Sequence, residues 1–370
     1  MDNQFSKKIV FFSFYQSILM ICYHANADVH FKNIIKGNEI LDKISGIIDR
    51  SLSDSKGTFF FVMLSGFLLY YNLTDENMRD KLLRRIKTLI IPWIMWNIIG
   101  TISYYHDWNK GITHILICFV TSRYCEALWF VQMLVIMLLF MPVIRKVFSI
   151  KYVREVILIC LFLIDYLGWP FLQGINIFPS SRFEFEVMRM LTHVPVYCFG
   201  AYVGLNWSNA VLKESYNKYK GWVKILAAVL LILPIFVQNT FVQYFWRRYQ
   251  SVFIWLLLDK NIFTFKYPWW MQISFYTYAI HNFILYWEGK ILKLSGLFAE
   301  KFDSSTVSIN FALIWRMSLS TGAFIATVIS AFILMKFTPK FYELLSGGRV
   351  PKRNLEDKRN AEVTNIQKIL

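Results

Sequence analysis

The chain has 370 residues, of which 56% are hydrophobic, with a mean hydropathy of +0.41 and a formal net charge of +16. Long apolar runs separated by basic clusters exclude a soluble globular domain and are typical of a polytopic helical membrane protein. The positive charge therefore indicates membrane topology and contact with an anionic lipid bilayer, and we expect no nucleic-acid partner.

We predict an all-α fold, a transmembrane helical bundle of about ten spans, because a span needs roughly 20 apolar residues to cross about 30 Å of hydrocarbon. In chain order the predicted spans are 9–25, 58–72, 88–105, 126–144, 154–170, 188–206, 222–238, 249–265, 269–290 and 309–336. The eighth is the weakest, because Arg247 and Arg248 precede it and the pair Asp259–Lys260 interrupts it.

Basic residues concentrate in every second predicted loop, and short loops rich in Lys and Arg stay on the cytoplasmic side of a membrane. They precede the first span and follow the second, fourth, sixth, eighth and tenth. This alternation predicts an even number of spans with both termini in the cytoplasm.

His24 lies at the end of an otherwise apolar segment, residues 9–23. An imidazole at the mouth of a spanning helix is costly to place, so it indicates either a functional site or part of a cleavage signal. Lys7–Lys8, the apolar stretch and Ala25–Ala27 also fit a secretory signal peptide, whose removal would discard His24. Topology leaves both interpretations open, and the motifs below favour a first span that is retained.

Several short segments stand out because they occur in register with the predicted spans. They are FFFVMLSGFLL at Phe59–Leu69, RRIK at Arg84–Lys87, PWIMW at Pro92–Trp96, LWFV at Leu128–Val131, RML at Arg189–Leu191 with Pro195 and Phe199–Gly200, and YAIH at Tyr278–His281. In this order and spacing they resemble the acyltransferase-3 family of integral membrane acyltransferases, which includes many bacterial O-antigen and exopolysaccharide O-acetyltransferases. The resemblance implies an integral membrane acyltransferase domain over residues 1–345, followed by a polar cytoplasmic tail over 346–370.

The resemblance also implies an activity. The expected enzyme moves an acetyl or other short acyl group from acyl-CoA, commonly acetyl-CoA, to a hydroxyl of a cell-envelope or exported polysaccharide. It implies a multi-pass protein of the bacterial inner membrane, a carbohydrate acceptor and no metal. In that family the first span carries a basic residue, ten intervening positions and then a histidine. His24 matches the histidine, whereas Ser13 stands in the place of the basic residue, which is a departure from the family pattern.

Two histidines are the candidate catalytic residues. A sugar hydroxyl is a poor nucleophile until a base removes its proton, and His24 is matched to that task near neutral pH. A covalent acyl-imidazole intermediate on His24 is a second possibility, and an interfacial histidine without a catalytic role is a third. His281 lies near the middle of the ninth span, where it either lines the site or ties two helices together.

Arg84, Arg85 and Lys87 are the candidate donor-binding residues. A guanidinium fork suits the phosphate groups of CoA, so the cluster predicts a cytoplasmic site for the nucleotide end of the donor. An ordinary positive-inside cluster explains the same residues equally well. If the donor does bind there, a tunnel must connect this cluster with His24.

Four further residues are candidates for substrate binding. Trp129 either stacks on a sugar or belongs to the aromatic belt at the membrane interface. Glu126 is an acid able to orient a histidine, and Arg189 either recognises the acceptor or pairs with a nearby glutamate. Ser65 is either a nucleophile or, with Gly66, a small-residue site for close helix packing.

A different class of function remains open on the sequence alone. A non-catalytic glycan-precursor transporter or flippase would have the same polytopic helical architecture. A relative of the enzymes that has lost activity is a third possibility, which Ser13 motivates. Oligomeric state is open as well.

Overall fold

The computed structural model describes residues 3–25, 57–103, 105–174, 190–214, 220–237, 239–294 and 309–351. Within these ranges every regular element is a helix, which confirms the predicted all-α fold. The α-helices are α1 Asn3–Ala25, α2 Gly57–Tyr70, α3 Asp75–Arg85, α4 Ile91–Ser103, α5 Ile112–Val120, α6 Trp129–Leu139, α7 Met141–Ser149, α8 Val153–Gly174, α9 Val194–Asn206, α10 Ser208–Lys213, α11 Lys220–Phe236, α12 Thr240–Leu257, α13 Ser274–Leu294, α14 Ile309–Phe337 and α15 Pro339–Ser346.

In the described part of the chain, four helical stretches are long and apolar enough to cross a membrane: Asn3–Ala25, Asp75–Ser103, Ile112–Leu139 and Ser318–Phe337. Two of them are composite, because a π-helical segment, Ile86–Ile90, joins α3 to α4, and a 3-10 segment, Arg123–Leu128, precedes α6. The total of ten spans and the cytoplasmic location of both termini stay predictions.

Helices α2 and α9 pack closely along a seam of glycines. A Cβ atom at Gly66 would collide with the carbonyl oxygen of Tyr197, and one at Gly200 would collide with that of Met63. Gly204 meets Phe67 in the same way. Residue numbers rise in the same direction along both helices, from Met63 and Gly200 to Phe67 and Gly204, so the two helices run parallel. The close approach expected at Ser65–Gly66 is therefore made by Gly66, since small residues let helix backbones come together.

Helices α1 and α13 also run parallel. The Ser17 hydroxyl donates a hydrogen bond to the carbonyl oxygen of Ser274 at 3.1 Å. Seven residues further along each helix, the rings of His24 and His281 face one another. This shared register brings together two histidines that are more than 250 residues apart in the sequence.

Helices α11 and α12 form an antiparallel hairpin, in which the Trp246 indole donates to the carbonyl oxygen of Leu231 at 3.1 Å. Helix α12 begins at Thr240, so it starts well before the predicted eighth span, 249–265. The Asn239 side chain accepts hydrogen bonds from the backbone N–H groups of Phe241 and Val242 and so caps its first turn.

The prediction that Arg247 and Arg248 precede the eighth span was therefore wrong, since both lie inside α12. A helix tolerates Arg248 there because Asp165 of α8 neutralises its charge.

A buried ion pair fixes the first turns of α1. The Lys8 ammonium is fully buried and lies 2.7 Å from a carboxylate oxygen of Glu214. It also donates to the carbonyl oxygens of Trp255 and Leu258 at the end of α12, at 2.9 and 2.6 Å. Lys8 is thus fully engaged at this end of α1 and does not replace the basic residue missing at Ser13.

Candidate active site

The centre of the candidate site is the histidine pair, His24 and His281. Their ring centroids are 5.0 Å apart, with the ring planes inclined by 47°. His24, at the last turn of α1, is half-buried, whereas His281 on α13 is completely buried. The sequence predicted each histidine as a candidate separately, and the parallel packing of α1 and α13 joins them into one site.

One hydrogen bond fixes the tautomer that His281 adopts as a neutral ring. Its Nδ1 lies 2.6 Å from the carbonyl oxygen of Tyr278, one turn earlier on α13. Since a carbonyl oxygen only accepts, Nδ1 carries the proton and Nε2 of the neutral ring keeps its lone pair. Among the described residues this buried Nε2 atom has no hydrogen-bond partner. The arrangement leaves one basic nitrogen ready to accept a proton or bind a ligand.

Aromatic rings surround the histidine pair on the side of α2 and α6. The Tyr278 ring lies 5.6 Å from His281, and the rings of Phe130 and Phe61 lie 4.6 and 5.7 Å from Tyr278. These apolar rings lower the local polarity beside His281, so electrostatic interactions there are stronger than in bulk solvent.

A third histidine, His193, lies beside these rings, and the sequence analysis did not identify it. Its ring stacks on Phe59 at 4.1 Å with an interplanar angle of 9°, and meets Trp129 edge-on at 4.6 Å. Trp129 is 7% exposed and packs inside the bundle on this histidine. In the sequence, His193 could be recognised as the residue directly before the helix start at Val194–Pro195. Its aromatic neighbours could not be recognised there, because they come from other helices.

Arg248 and Asp165 form a second arrangement that the sequence did not indicate. The guanidinium group donates to both carboxylate oxygens, at 3.1 and 3.3 Å, and the Tyr244 hydroxyl donates to the same carboxylate. The Arg248 guanidinium also lies over the Phe59 ring at 5.0 Å. Through these contacts, Arg248 of α12 and Asp165 of α8 pack next to the stacked rings of Phe59 and His193.

The candidate donor-binding residues lie at the other end of α2. Lys81 of α3 donates to the carbonyl oxygens of Leu69 and Tyr71 at the C-terminal end of α2. At the opposite end of α2, Thr58 contacts Met20, which is one helical turn before His24 on α1. The 14 residues of α2 therefore separate the two sets by roughly 20 Å, at about 1.5 Å per residue.

Within this basic set, Arg84 and Lys87 are exposed and Arg85 is half-buried. Arg85 lies within electrostatic range of Tyr197 on α9, which is one helical turn beyond His193. Arg85 is thus close to α9, the helix that also begins beside His193.

Comparison with protein families gives a match over most of the chain. A family model described as an acyltransferase domain matches residues 17–336. The chain belongs to the acyltransferase-3 family. No curated protein and no solved structure matches it. The protein is therefore a multi-pass membrane acyltransferase by family and helix composition, and the matched region contains both members of the histidine pair.

The acyltransferase-3 match begins after Ser13, which is a buried residue whose carbonyl oxygen accepts the Ser17 hydroxyl at 2.8 Å. Glu126 is exposed in the 3-10 segment before α6, and Ser65 is half-buried on α2. Arg189 lies outside the described residues. The roles of Ser65 and Glu126 in substrate binding stay predictions.

Proposed function

We propose that this acyltransferase transfers an acetyl or other short acyl group from acyl-CoA to a hydroxyl of a cell-envelope or exported polysaccharide. The observation that supports this most directly is the histidine pair. It combines a half-buried imidazole with a buried imidazole whose tautomer is fixed.

In the proposed reaction, His24 removes the proton from the acceptor hydroxyl as the oxygen attacks the thioester carbonyl carbon. The carbon–sulfur bond breaks, and the CoA thiolate takes the proton back from the imidazolium. The new ester and free CoA are the products. General base catalysis of this kind contributes about 10²- to 10⁴-fold to the rate.

His281 has a supporting role in this proposal. Two imidazolium cations with ring centroids 5.0 Å apart repel each other, so the pair carries one positive charge at most during the reaction. The free Nε2 lone pair of His281 then accepts a hydrogen bond from the protonated His24 or from the acceptor hydroxyl. Its bond to the Tyr278 carbonyl oxygen keeps the ring in the orientation that this requires.

The donor fits the separation between the two sets of residues. In acyl-CoA the phosphates lie at the nucleotide end and the thioester lies at the end of a long flexible arm. With the phosphates on Arg84, Arg85 and Lys87, the arm extends along α2 and presents the thioester to His24. This requires a tunnel through the bundle, which is part of the proposal.

The test is transfer by the purified full-length protein in lipid nanodiscs. Radiolabelled acetyl-CoA is supplied with a panel of bacterial cell-envelope polysaccharides, and label on the glycan is counted. We expect transfer by the wild type and its loss in His24→Ala. His114→Ala is the matched control, because His114 lies on α5 beside Cys118, and it should retain activity.

Full activity of His24→Ala would remove His24 from the mechanism. A wild type that transfers no label but moves unmodified glycan precursor across vesicles would instead favour the transporter. Label that becomes bound to wild-type protein in the absence of an acceptor, and not to His24→Ala, would favour a covalent acyl-imidazole over direct transfer.

A further inference from the structure

The C-terminal strap, Gly347–Pro351, follows α15 and lies beyond the residues matched by the family. The Trp96 indole of α4 donates to the carbonyl oxygen of Leu345 at 3.0 Å and so holds the end of α15. Gly347 and Gly348 then turn the chain with φ values of +64° and +76°, a conformation that favours glycine. A Cβ atom at Gly347 would collide with the carbonyl oxygen of Thr88. The strap is therefore packed directly against the π-helical segment that follows Arg85.

Arg349 is the charged residue of this strap. Its Nη1 atom donates to the carbonyl oxygens of Thr88 and Ser346, at 3.0 and 2.9 Å. The Thr88 oxygen is available because Pro92, four residues later, has no N–H to donate to it. The guanidinium also lies 4.4 Å from the centroid of the Phe275 ring. These contacts hold Arg349 in one place at the start of α4.

The position of Arg349 brings two positive charges together. Burial, and then the neighbouring charge of Arg85, lower the pKa of the Arg349 guanidinium to about 10. Among the described residues, no ion pair joins either arginine to a carboxylate. Two half-buried like charges without a counter-ion are unfavourable, and an anion bound between them relieves the repulsion.

Tyr197 of α9 borders the same place. Its side chain is 1% exposed and lies within electrostatic range of Arg85. Its hydroxyl lies beside that of Tyr70 at the end of α2, so the arginine pair adjoins the polar end of the α2–α9 seam.

We propose that Arg349 and Arg85 together bind a phosphate group of the acyl-CoA donor, so that the strap completes the donor site from outside the family-matched region. Guanidinium forks suit phosphate oxygens, and the Nε and Nη2 groups of Arg349 make no hydrogen bond within the described residues, so they can serve the ligand. This rests on the proposed function, because it takes acyl-CoA as the donor.

The experiment compares two donors with the full-length protein in zwitterionic nanodiscs. Acetyl-CoA carries the phosphate groups, whereas acetyl-pantetheine carries the same thioester without them. In Arg349→Gln we expect the Kd and KM for acetyl-CoA to rise about 10- to 100-fold, as for a lost charged hydrogen bond. The kcat/KM for acetyl-pantetheine should stay at the wild-type value. Arg349→Lys keeps the positive charge but loses the planar guanidinium fork, so its Kd for acetyl-CoA should lie between those of the wild type and Arg349→Gln.

Lys340→Gln is the matched control, because Lys340 is an exposed cation on α15, and it should change the Kd for acetyl-CoA less than about twofold. An equal loss with both donors would make Arg349 a structural residue and overturn the proposal, as would no loss with either. An Arg349 effect seen only with phosphatidylglycerol in the nanodiscs would assign the site to a lipid headgroup and overturn it too. A wild type that neither binds acetyl-CoA nor transfers its acetyl group would instead show that the proposed function had failed.

Discussion

The histidine pair and the arginine site, Arg85 with Arg349, lie at opposite ends of α2. They differ in how their polar groups are hydrogen-bonded and how their charges are balanced. At the histidine pair, a fully buried imidazole has one nitrogen bonded to a backbone carbonyl and the other free. At the arginine site, two half-buried cations lie near each other without a carboxylate among the described residues. One end is poised to move a proton, and the other is short of a negative charge.

This difference implies a division of work. In the proposed reaction His24 acts on the acceptor hydroxyl and His281 supports it, so the histidine pair should control the rate of the chemical step. An excess of positive charge attracts an anion before any reaction begins, so the arginine site should control donor affinity. Variants at the two ends should therefore affect different kinetic constants.

The largest expected effect is at the histidine pair. Replacing His24 with Ala removes the proposed general base, and we expect kcat to fall about 10²- to 10⁴-fold. The KM for acetyl-CoA should stay near the wild-type value, because the proposed phosphate site lies at the other end of α2. Steady-state kinetics with varied acetyl-CoA measures both constants. A large rise in KM with unchanged kcat would contradict the division of work.

The next largest effect concerns Lys8, a cation that pairs with the Glu214 carboxylate, whereas Arg85 has no such pair within the described part of the chain. Lys8→Met leaves the Glu214 carboxylate buried without its counter-ion, and we expect a loss of about 3–5 kcal/mol in the free energy of unfolding. Thermal unfolding in detergent compares the stability of Lys8→Met with that of the wild type. Lys7→Met is the control, because Lys7 makes an exposed hydrogen bond to the carbonyl oxygen of Thr264, and it should change stability little.

The double variant Lys8→Met/Glu214→Gln should recover part of the loss, because the remaining buried group is then neutral. If Lys8→Met alone is as stable as the wild type, the ion pair does not hold α1 in place.

Much of the fold was predictable because apolar segments of spanning length dominate the sequence. The helical class and most helix positions follow from that pattern. The register between helices does not, since hydropathy carries no information about which faces meet. The prediction failed at α12, where Arg247 and Arg248 interrupt the apolar pattern although the helix continues through them. The compensating Asp165 is on another helix, far away in the sequence.

The candidate site was predictable in part. The resemblance identified His24 and His281 individually, and the parallel register of α1 and α13 makes them a pair. His193 and Arg349 could not be predicted in this way, because each depends on neighbours that only tertiary packing supplies. Phe59 and Trp129 surround His193, and the Gly347–Gly348 turn brings Arg349 to Thr88.

A smaller effect is expected at the arginine site. Arg85→Gln should raise the KM for acetyl-CoA about tenfold and leave kcat nearly unchanged, since a charged hydrogen bond to phosphate contributes about 1.5–3 kcal/mol. Arg79→Gln is the comparison, because Arg79 is an exposed cation on α3 outside the proposed donor-binding set and its charge is screened by water. Equal effects of the two variants would favour an ordinary positive-inside cluster over a built donor site.

The smallest effect concerns the glycine seam that joins the two ends. Gly200→Ala places a Cβ atom against the carbonyl oxygen of Met63, and α2 and α9 must then move apart. We expect a loss of about 1–3 kcal/mol in the free energy of unfolding, as for other overpacked sites. Gly221→Ala is the matched control, because a Cβ there meets no atom within 4 Å. If the seam also sets the spacing between the histidine pair and the arginine site, Gly200→Ala lowers kcat/KM for acetyl-CoA more than for acetyl-pantetheine, because only acetyl-CoA must reach both ends. Equal losses with the two donors would limit the seam to a packing role.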